Sequence, residues 1–321
     1  MPVLVTGAQG FVGAWLAERL LEEGARVVVP RRDARAESRF RTDGIEERCD
    51  VVEADVTDYE SVVRVLHGYR VRAVFHLAGS VADVATRSPL STWDSNVRGT
   101  YTLLEACRAA REVGEEIERV VVASSVVAYG GDEPPWAEDA RLEPSGLYAV
   151  SKAAADLVAR AYARAFELPV AVLRLSNVYG GGDLGFSRLV PDACRALVAG
   201  EPPVLRSDGT PVRELTYVED AVDAYLAVAA SLDEPGAHGR AWNAGGGEPV
   251  PVLEIVRRLV RISGREVEPE LGGEGGGGGF ENRQELDSSA IRSELGWAPA
   301  WDLERGLKAT YEWYARRLGG G

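Results

Sequence analysis

Tyr148 and Lys152 stand four residues apart in the run Leu147-Tyr148-Ala149-Val150-Ser151-Lys152. On a helix, residues at that spacing share a face, so the Lys152 ammonium falls beside the Tyr148 phenol and favours its ionised form. A phenol ionised near neutral pH can take a proton from a hydroxyl and give it back. The same spacing also suits a helix with one buried ring and one solvated charge. A second group of residues narrows the choice: Gly7-Ala8-Gln9-Gly10-Phe11-Val12-Gly13 follows the strand-like Val3 to Thr6. Glycines three apart, after a strand and before a helix, bring bare backbone N–H groups to where a dinucleotide pyrophosphate binds. Gly7, Gln9, Gly10, Phe11, Val12 and Gly13 are therefore candidate cofactor contacts.

The end of the second strand reports on the adenosine ribose, because a carboxylate accepts its hydroxyls whereas an arginine neutralises a 2′-phosphate. Here the stretch is Val29-Pro30-Arg31-Arg32-Asp33. Arg31 and Arg32 favour NADP, Asp33 can still reach a ribose hydroxyl, and the choice between NAD and NADP stays open. Asp55-Val56 after the third strand is placed to flank the adenine. Leu77-Ala78 after the fourth, with Gly79, brings small residues against the cofactor.

Positioning these groups requires a parallel sheet. Short β-branched runs near Val3 to Thr6, Arg26 to Val29, Val51 to Glu53, Ala73 to Leu77, Val120 to Ser124 and Val170 to Arg174 alternate with amphipathic stretches. That is the βαβ rhythm, with crossover helices on both faces. Helices are expected at Phe11 to Glu23, Tyr59 to Tyr69, Thr92 to Val113 and Tyr148 to Phe166. After Arg174 the rhythm loosens, with helices near Leu189 to Ala199 and Asp220 to Ala230 and a last one ending near Leu318. The fold class is α/β: a Rossmann-type doubly wound parallel sheet with a smaller C-terminal α/β lobe. The dinucleotide-binding domain is expected over residues 1–175 with a return segment at about 214–244, and the interleaved substrate lobe over 176–321. Ala241-Trp242-Asn243-Ala244 reads as a strand returning to the main sheet. The run Gly275 to Gly279 reads as a mobile surface loop, since glycine loses the most backbone entropy on ordering.

Composition excludes several classes. A net charge of -14 over 321 residues, without a dense basic block, opposes nucleic acid and anionic lipid. No leader or long apolar segment is seen, so the expected location is cytoplasmic, with no membrane partner. Cys49, Cys107 and Cys194 are scattered and lack histidine at ligand spacing, which indicates free thiols and no metal site. His67, His76 and His238 read as structural or exposed.

Along nearly its whole length the chain resembles the extended short-chain dehydrogenase/reductase family, the nucleotide-sugar epimerases and dehydratases. The resemblance rests on the glycine loop, Asp55-Val56-Thr57-Asp58, Phe75-His76-Leu77-Ala78, Asn96-Val97-Arg98-Gly99-Thr100, Ser124-Ser125 before Tyr129-Gly130, Tyr148 with Lys152, Arg174 to Gly180, and Leu295-Gly296-Trp297. It implies that Tyr148 moves the proton of the sugar 4-hydroxyl while Ser125 hydrogen-bonds the same oxygen. It implies further that Lys152 binds the nicotinamide ribose and lowers the Tyr148 pKa, and that Asn96 contacts the cofactor. Ser125 is chosen over Ser124 by its distance from Tyr129; adjacent strand residues face opposite ways, so one of the two faces the cofactor. Asn177, Leu189 and Arg213 match substrate positions, with arginine suited to a diphosphate. Glu214 stands where relatives carry aspartate, and a surface Arg213–Glu214 pair is the alternative. The implied partners are a nucleotide-diphosphate sugar and a second copy of the chain, in a homodimer packed through the Thr92 to Val113 and Tyr148 to Phe166 helices.

Val126-Val127 follows Ser125, where dehydratases of this family carry Asp-Glu or Asp-Lys to expel water across C5 and C6. Valine moves no protons, so the expected reaction is 4-epimerisation through a transient 4-keto sugar. Gly180-Gly181-Gly182-Asp183, Arg188 to Asp192 and Asn282 lean toward the CDP-glucose and GDP-mannose dehydratases, which keeps a 4,6-dehydratase open. Arg31 and Arg32 keep open an NADPH-dependent 4-ketoreductase. A dinucleotide sensor without catalysis would have no use for Ser125, Tyr148 and Lys152 together. The sequence leaves the nucleotide base open, because the stretch where relatives often carry a ribose-gripping arginine is here the glycine run.

Overall fold

Valine-rich runs buried on both sides form the centre of the molecule. In the computed structural model, which describes residues 1–33, 37–272 and 282–319, six such runs are β1 (Pro2–Thr6), β2 (Arg26–Arg31), β3 (Asp50–Glu53), β4 (Ala73–His76), β5 (Arg119–Ser125) and β6 (Val170–Leu175). With Ala241–Ala244 they make a seven-stranded parallel sheet in the order Ala241–Ala244, β6, β5, β4, β1, β2, β3. Every residue of β6 is buried, as a strand covered on both faces requires. The glycine run Gly275 to Gly279 lies outside the described residues.

Side chains alternate across the sheet and feed two cores. On one face Val5, Phe75, Val121 and Leu173 pack under the helices Phe11–Glu22 and Val218–Ser231. On the other, Leu4, Val74, Val122 and Val172 pack under Tyr59–Tyr69, Gly99–Glu112 and Leu147–Phe166. The C-terminal lobe has its own core, in which Val190, Leu197, Ile255, Leu259 and Leu307 join the helices Leu189–Ala199, Val252–Ser263 and Leu303–Leu318. Its small sheet centres on the strand Val212–Tyr217, which pairs with Pro249–Pro251, Arg283–Gln284 and Asn177–Tyr179.

One expected element differs. The helix anticipated over Thr92 to Val113 is instead a short helix Pro89–Trp93, a wider π-wound stretch Asp94–Arg98, and an α-helix Gly99–Glu112. The π-winding inserts extra backbone into the turn where the Asn96 side chain is buried. Its amide oxygen accepts from the Ser80 backbone N at 2.6 Å, and its amide nitrogen donates to Ser151 Oγ at 2.9 Å.

Candidate active site

The glycine loop closes on itself, with Gly10 N donating to the Gly7 carbonyl at 2.8 Å. Gly7 sits at φ +75°, and a Cβ there would stand 2.7 Å from the Ala78 backbone N; a Cβ on Gly13 would stand 2.3 Å from the Gly7 oxygen. Only glycine fits this approach of strand, loop and helix. The Phe11–Glu22 helix begins at once with no acidic residue in its first turn, so its N-terminal dipole is free to meet an anion. Gly7, Gly10, Phe11, Val12 and Gly13 line one end of a cavity of about 830 Å³ that runs past the end of β5 into the C-terminal lobe. The loop therefore fits the pyrophosphate of a dinucleotide.

Ser125, Tyr148 and Lys152 share the wall of this cavity next to Leu77 and Gly79. Ser124 pairs in register with Arg174, whose side chain reaches Asp156 on the Leu147–Phe166 helix. Among the described residues Ser124 Oγ, turned under that helix, is buried without a partner, and Ser125 Oγ, on the alternate face, accepts from Val127 N at 3.4 Å. Lys152 Nζ donates to the Ala123 carbonyl. Burial draws the Lys152 ammonium down to about 8, opposed by Asp156 one turn on. Burial raises the Tyr148 phenol above its ordinary value, and the charge opposing that rise is Arg188.

Arg174 braces this wall. Fully buried, it donates from Nε and Nη2 to both oxygens of Asp156 at 2.8 and 2.9 Å, and from Nη1 to Tyr129 Oη at 2.6 Å. Tyr129 in turn donates to Asn243 Oδ1 at 2.7 Å. A buried pair of this kind fixes geometry more than it stabilises; here it ties the Leu147–Phe166 helix to β6 and to the strand Ala241–Ala244.

A second buried chain supports the cofactor end. Thr100 Oγ1 gives its single hydrogen to the Asn96 carbonyl at 2.6 Å, so His76 Nε2 must donate in its 3.1 Å contact with Thr100 Oγ1. His76 Nδ1 is then the acceptor for Thr6 Oγ1 at 2.8 Å, and Thr6 Oγ1 accepts from Ala78 N at 3.0 Å. Burial, with Lys152 nearby, pushes the His76 imidazole down to about 3, so it is neutral and structural.

Several expected cofactor residues stand outside the cavity wall. Arg31 pairs with Glu46, and Arg32 with Asp33 at 2.8 Å and Asp55 at 3.7 Å. Both guanidinium charges are therefore matched by carboxylates. Gln9 Nε2 donates to the Asp33 carbonyl at 2.9 Å, and Asp55 Oδ1 accepts from the backbone and hydroxyl of Thr57. Val56 packs beside Gly99.

In the lobe, Asn177, Leu189 and Arg213 line the far part of the cavity. Asn177 Nδ2 donates to Gln284 Oε1 at 2.9 Å, and Arg213 Nη1 to the Val212 carbonyl at 2.8 Å. Glu214 is 2% exposed and accepts from Gly247 N at 2.7 Å and Leu286 N at 3.0 Å, so its carboxylate knits the lobe together and forms no surface pair. Sequence reasoning missed Asp183, Arg188 and Tyr225 as wall residues. The buried Asp183 accepts from Arg188 Nη1 at 2.6 Å and from Gly185 N at 3.0 Å. No local spacing announces these contacts, since each joins residues of separate elements or of an irregular loop.

A glycine loop closing β1 of a parallel sheet, with a tyrosine, lysine and serine at the ends of the central strands, defines a Rossmann-fold dinucleotide enzyme. The chain belongs to the NAD dependent epimerase/dehydratase family, whose profile matches residues 3–245, and NAD is its cofactor. It is 34% identical to a dTDP-glucose 4,6-dehydratase of Streptomyces griseus, over 97% of this chain and 93% of that one. It is 30% identical to a UDP-glucose 4-epimerase of Azospirillum brasilense, over 97% and 91%. The crystal structure of a UDP-glucose 4-epimerase from Thermotoga maritima with UDP-glucose superposes with a TM-score of 0.88 at 27% identity, covering 99% of this chain and 100% of that one.

Proposed function

We propose that the chain is a nucleotide-sugar 4-epimerase. The observation that carries this reading is the turn after Ser125: Val126 is buried and Val127 lines the cavity, so no proton-transferring side chain stands there. Among the described residues, the acids on the cavity wall are Asp183, held by Arg188 and Gly185 N, and Asp192, paired with Arg195. The groups that can move or share a proton beside that turn are then Tyr148, Lys152 and Ser125.

Tyr148 takes the proton from the sugar 4-hydroxyl and returns it to the 4-oxygen after the keto sugar has turned its other face. Ser125 donates a hydrogen bond to that oxygen in both directions, and loss of such a donor costs about 2–4 kcal/mol of transition-state stabilisation. Lys152 and the glycine loop hold the dinucleotide, which when bound accepts the C4 hydride and gives it back. Asn177, Leu189 and Arg213 grip the diphosphate and nucleotide. The NAD dependence of the family, with Arg31 and Arg32 already facing carboxylates, favours this reading over an NADPH-dependent reductase. The second reading, a 4,6-dehydratase, is favoured by the 34% identity to the Streptomyces griseus enzyme. The proposed assembly is a homodimer.

The test is product analysis with UDP-glucose, dTDP-glucose and UDP-glucuronate, each incubated with the protein and with Tyr148→Phe. The expected product is the C4 epimer of one of them, with no net change in NAD, and a loss of roughly three or more orders of magnitude in Tyr148→Phe. Conversion to a 4-keto-6-deoxy sugar would replace the epimerase reading by the dehydratase.

A further inference from the structure

Tyr148, Tyr179 and Tyr225 all bring phenols to the wall of the same cavity; Tyr179 donates to the Leu303 carbonyl, and Tyr225 is supplied by the Val218–Ser231 helix. Tyr225 is 2% exposed, and its ring meets Phe75 edge-on at 6.3 Å between centroids. Ring packing alone would be served equally well by phenylalanine. A tyrosine hydroxyl in a largely buried ring normally finds a hydrogen-bond partner. Among the described residues the Tyr225 hydroxyl has none; the groups acting on it are the surrounding apolar burial and Tyr148, both of which raise its pKa. The phenol therefore stays protonated and is a donor only toward the cavity.

The direction from which Tyr225 arrives limits what it can meet. Its helix packs against the Phe11–Glu22 helix of the glycine loop and against β5 and β6, on the sheet face opposite the Leu147–Phe166 helix. The sugar-side residues Asn177, Leu189 and Arg213 come instead from the lobe. Tyr148 and Tyr225 thus approach one end of the cavity from the two faces of the sheet, where the strand ends and the glycine loop meet.

We propose that Tyr225 is a cofactor-holding residue, its hydroxyl donating a hydrogen bond to an acceptor on the nicotinamide half of NAD. The inference rests on NAD as the cofactor and is independent of which sugar reaction the enzyme runs. In Tyr225→Phe the ring and its packing remain and one hydroxyl is lost. Purified wild type and variant are dialysed identically, the NAD retained per chain is measured, and melting is followed across a series of added NAD concentrations. The variant is expected to retain less NAD and to need about 3- to 10-fold more of it for the same rise in Tm, the range that one neutral hydrogen bond supplies. Its Tm without added NAD is expected to equal that of wild type, because the hydroxyl faces the cavity and serves no protein partner among the described residues. Equal NAD dependence in both proteins overturns the proposal. So does a lower Tm without NAD or a variant that fails to fold, since either shows the hydroxyl serving the protein interior. Failure to find a C4 epimer would sink the epimerase reading and leave this NAD titration unchanged.

Discussion

At the scale of residues, the site combines groups that the sequence announces with groups it conceals. The Tyr148–Lys152 spacing and the glycine triad are legible because both depend on local periodicity. What reaches the phenol is not: Arg188 lies forty positions along the chain and is brought round by the lobe. The neutral His76 carries a consequence for acid stability. Its ordinary pKa of 6.5 falls to about 3 in the folded protein, so below pH 6.5 the unfolded chain binds a proton that the native state refuses. Stability from this group is complete above pH 6.5 and declines toward pH 3, by about 1.4 kcal/mol per pH unit within that window. Urea midpoints measured from pH 7 to pH 4 should show this slope in the wild type and a shallower one in His76→Gln. Parallel slopes would mean that the imidazole is charged in the fold.

Among the elements, the parallel sheet and its helices were readable from alternating β-branched runs and amphipathic stretches, and fold class followed from their order. The π-wound stretch Asp94–Arg98 was not, because the apolar residues on either side keep helical spacing while Asn96 turns inward between them. Its polar side chain inside an otherwise regular helical pattern was the available signal. Asn96 binds the Ser80 backbone and Ser151, so it couples the segment after β4 to the Leu147–Phe166 helix. Asn96→Ala leaves the Ser80 N–H without its acceptor. Destabilisation of about 1–3 kcal/mol is expected, together with about tenfold weaker NAD binding as the Leu77 to Ser80 wall loosens, a change of about 1.4 kcal/mol. Chemical denaturation and an NAD titration read the two effects separately, and unchanged NAD affinity would confine Asn96 to a purely structural role.

For the whole molecule, Val150 and Leu157 lie seven residues apart on the Leu147–Phe166 helix and are 36% and 50% exposed; Tyr101 is likewise exposed on the neighbouring Gly99–Glu112 helix. An apolar stripe at this spacing suits packing against a second copy. Leu157→Arg is expected to shift the protein from dimer to monomer in light scattering while leaving the monomer folded; a wild type that is already monomeric would refute the dimer. The interleaving of the two lobes has a consequence for synthesis. β6 waits for its outer neighbour, Ala241–Ala244, until the intervening lobe has been made. At the usual pace of translation that interval lasts roughly 3–13 s. Throughout it the nascent sheet presents β6 as an open edge of unpaired backbone groups, the form in which strands recruit one another between chains. A ribosome-bound or truncated chain ending between Leu175 and Ala241 is therefore expected to depend on chaperones, and stalling there to favour association between exposed β6 edges.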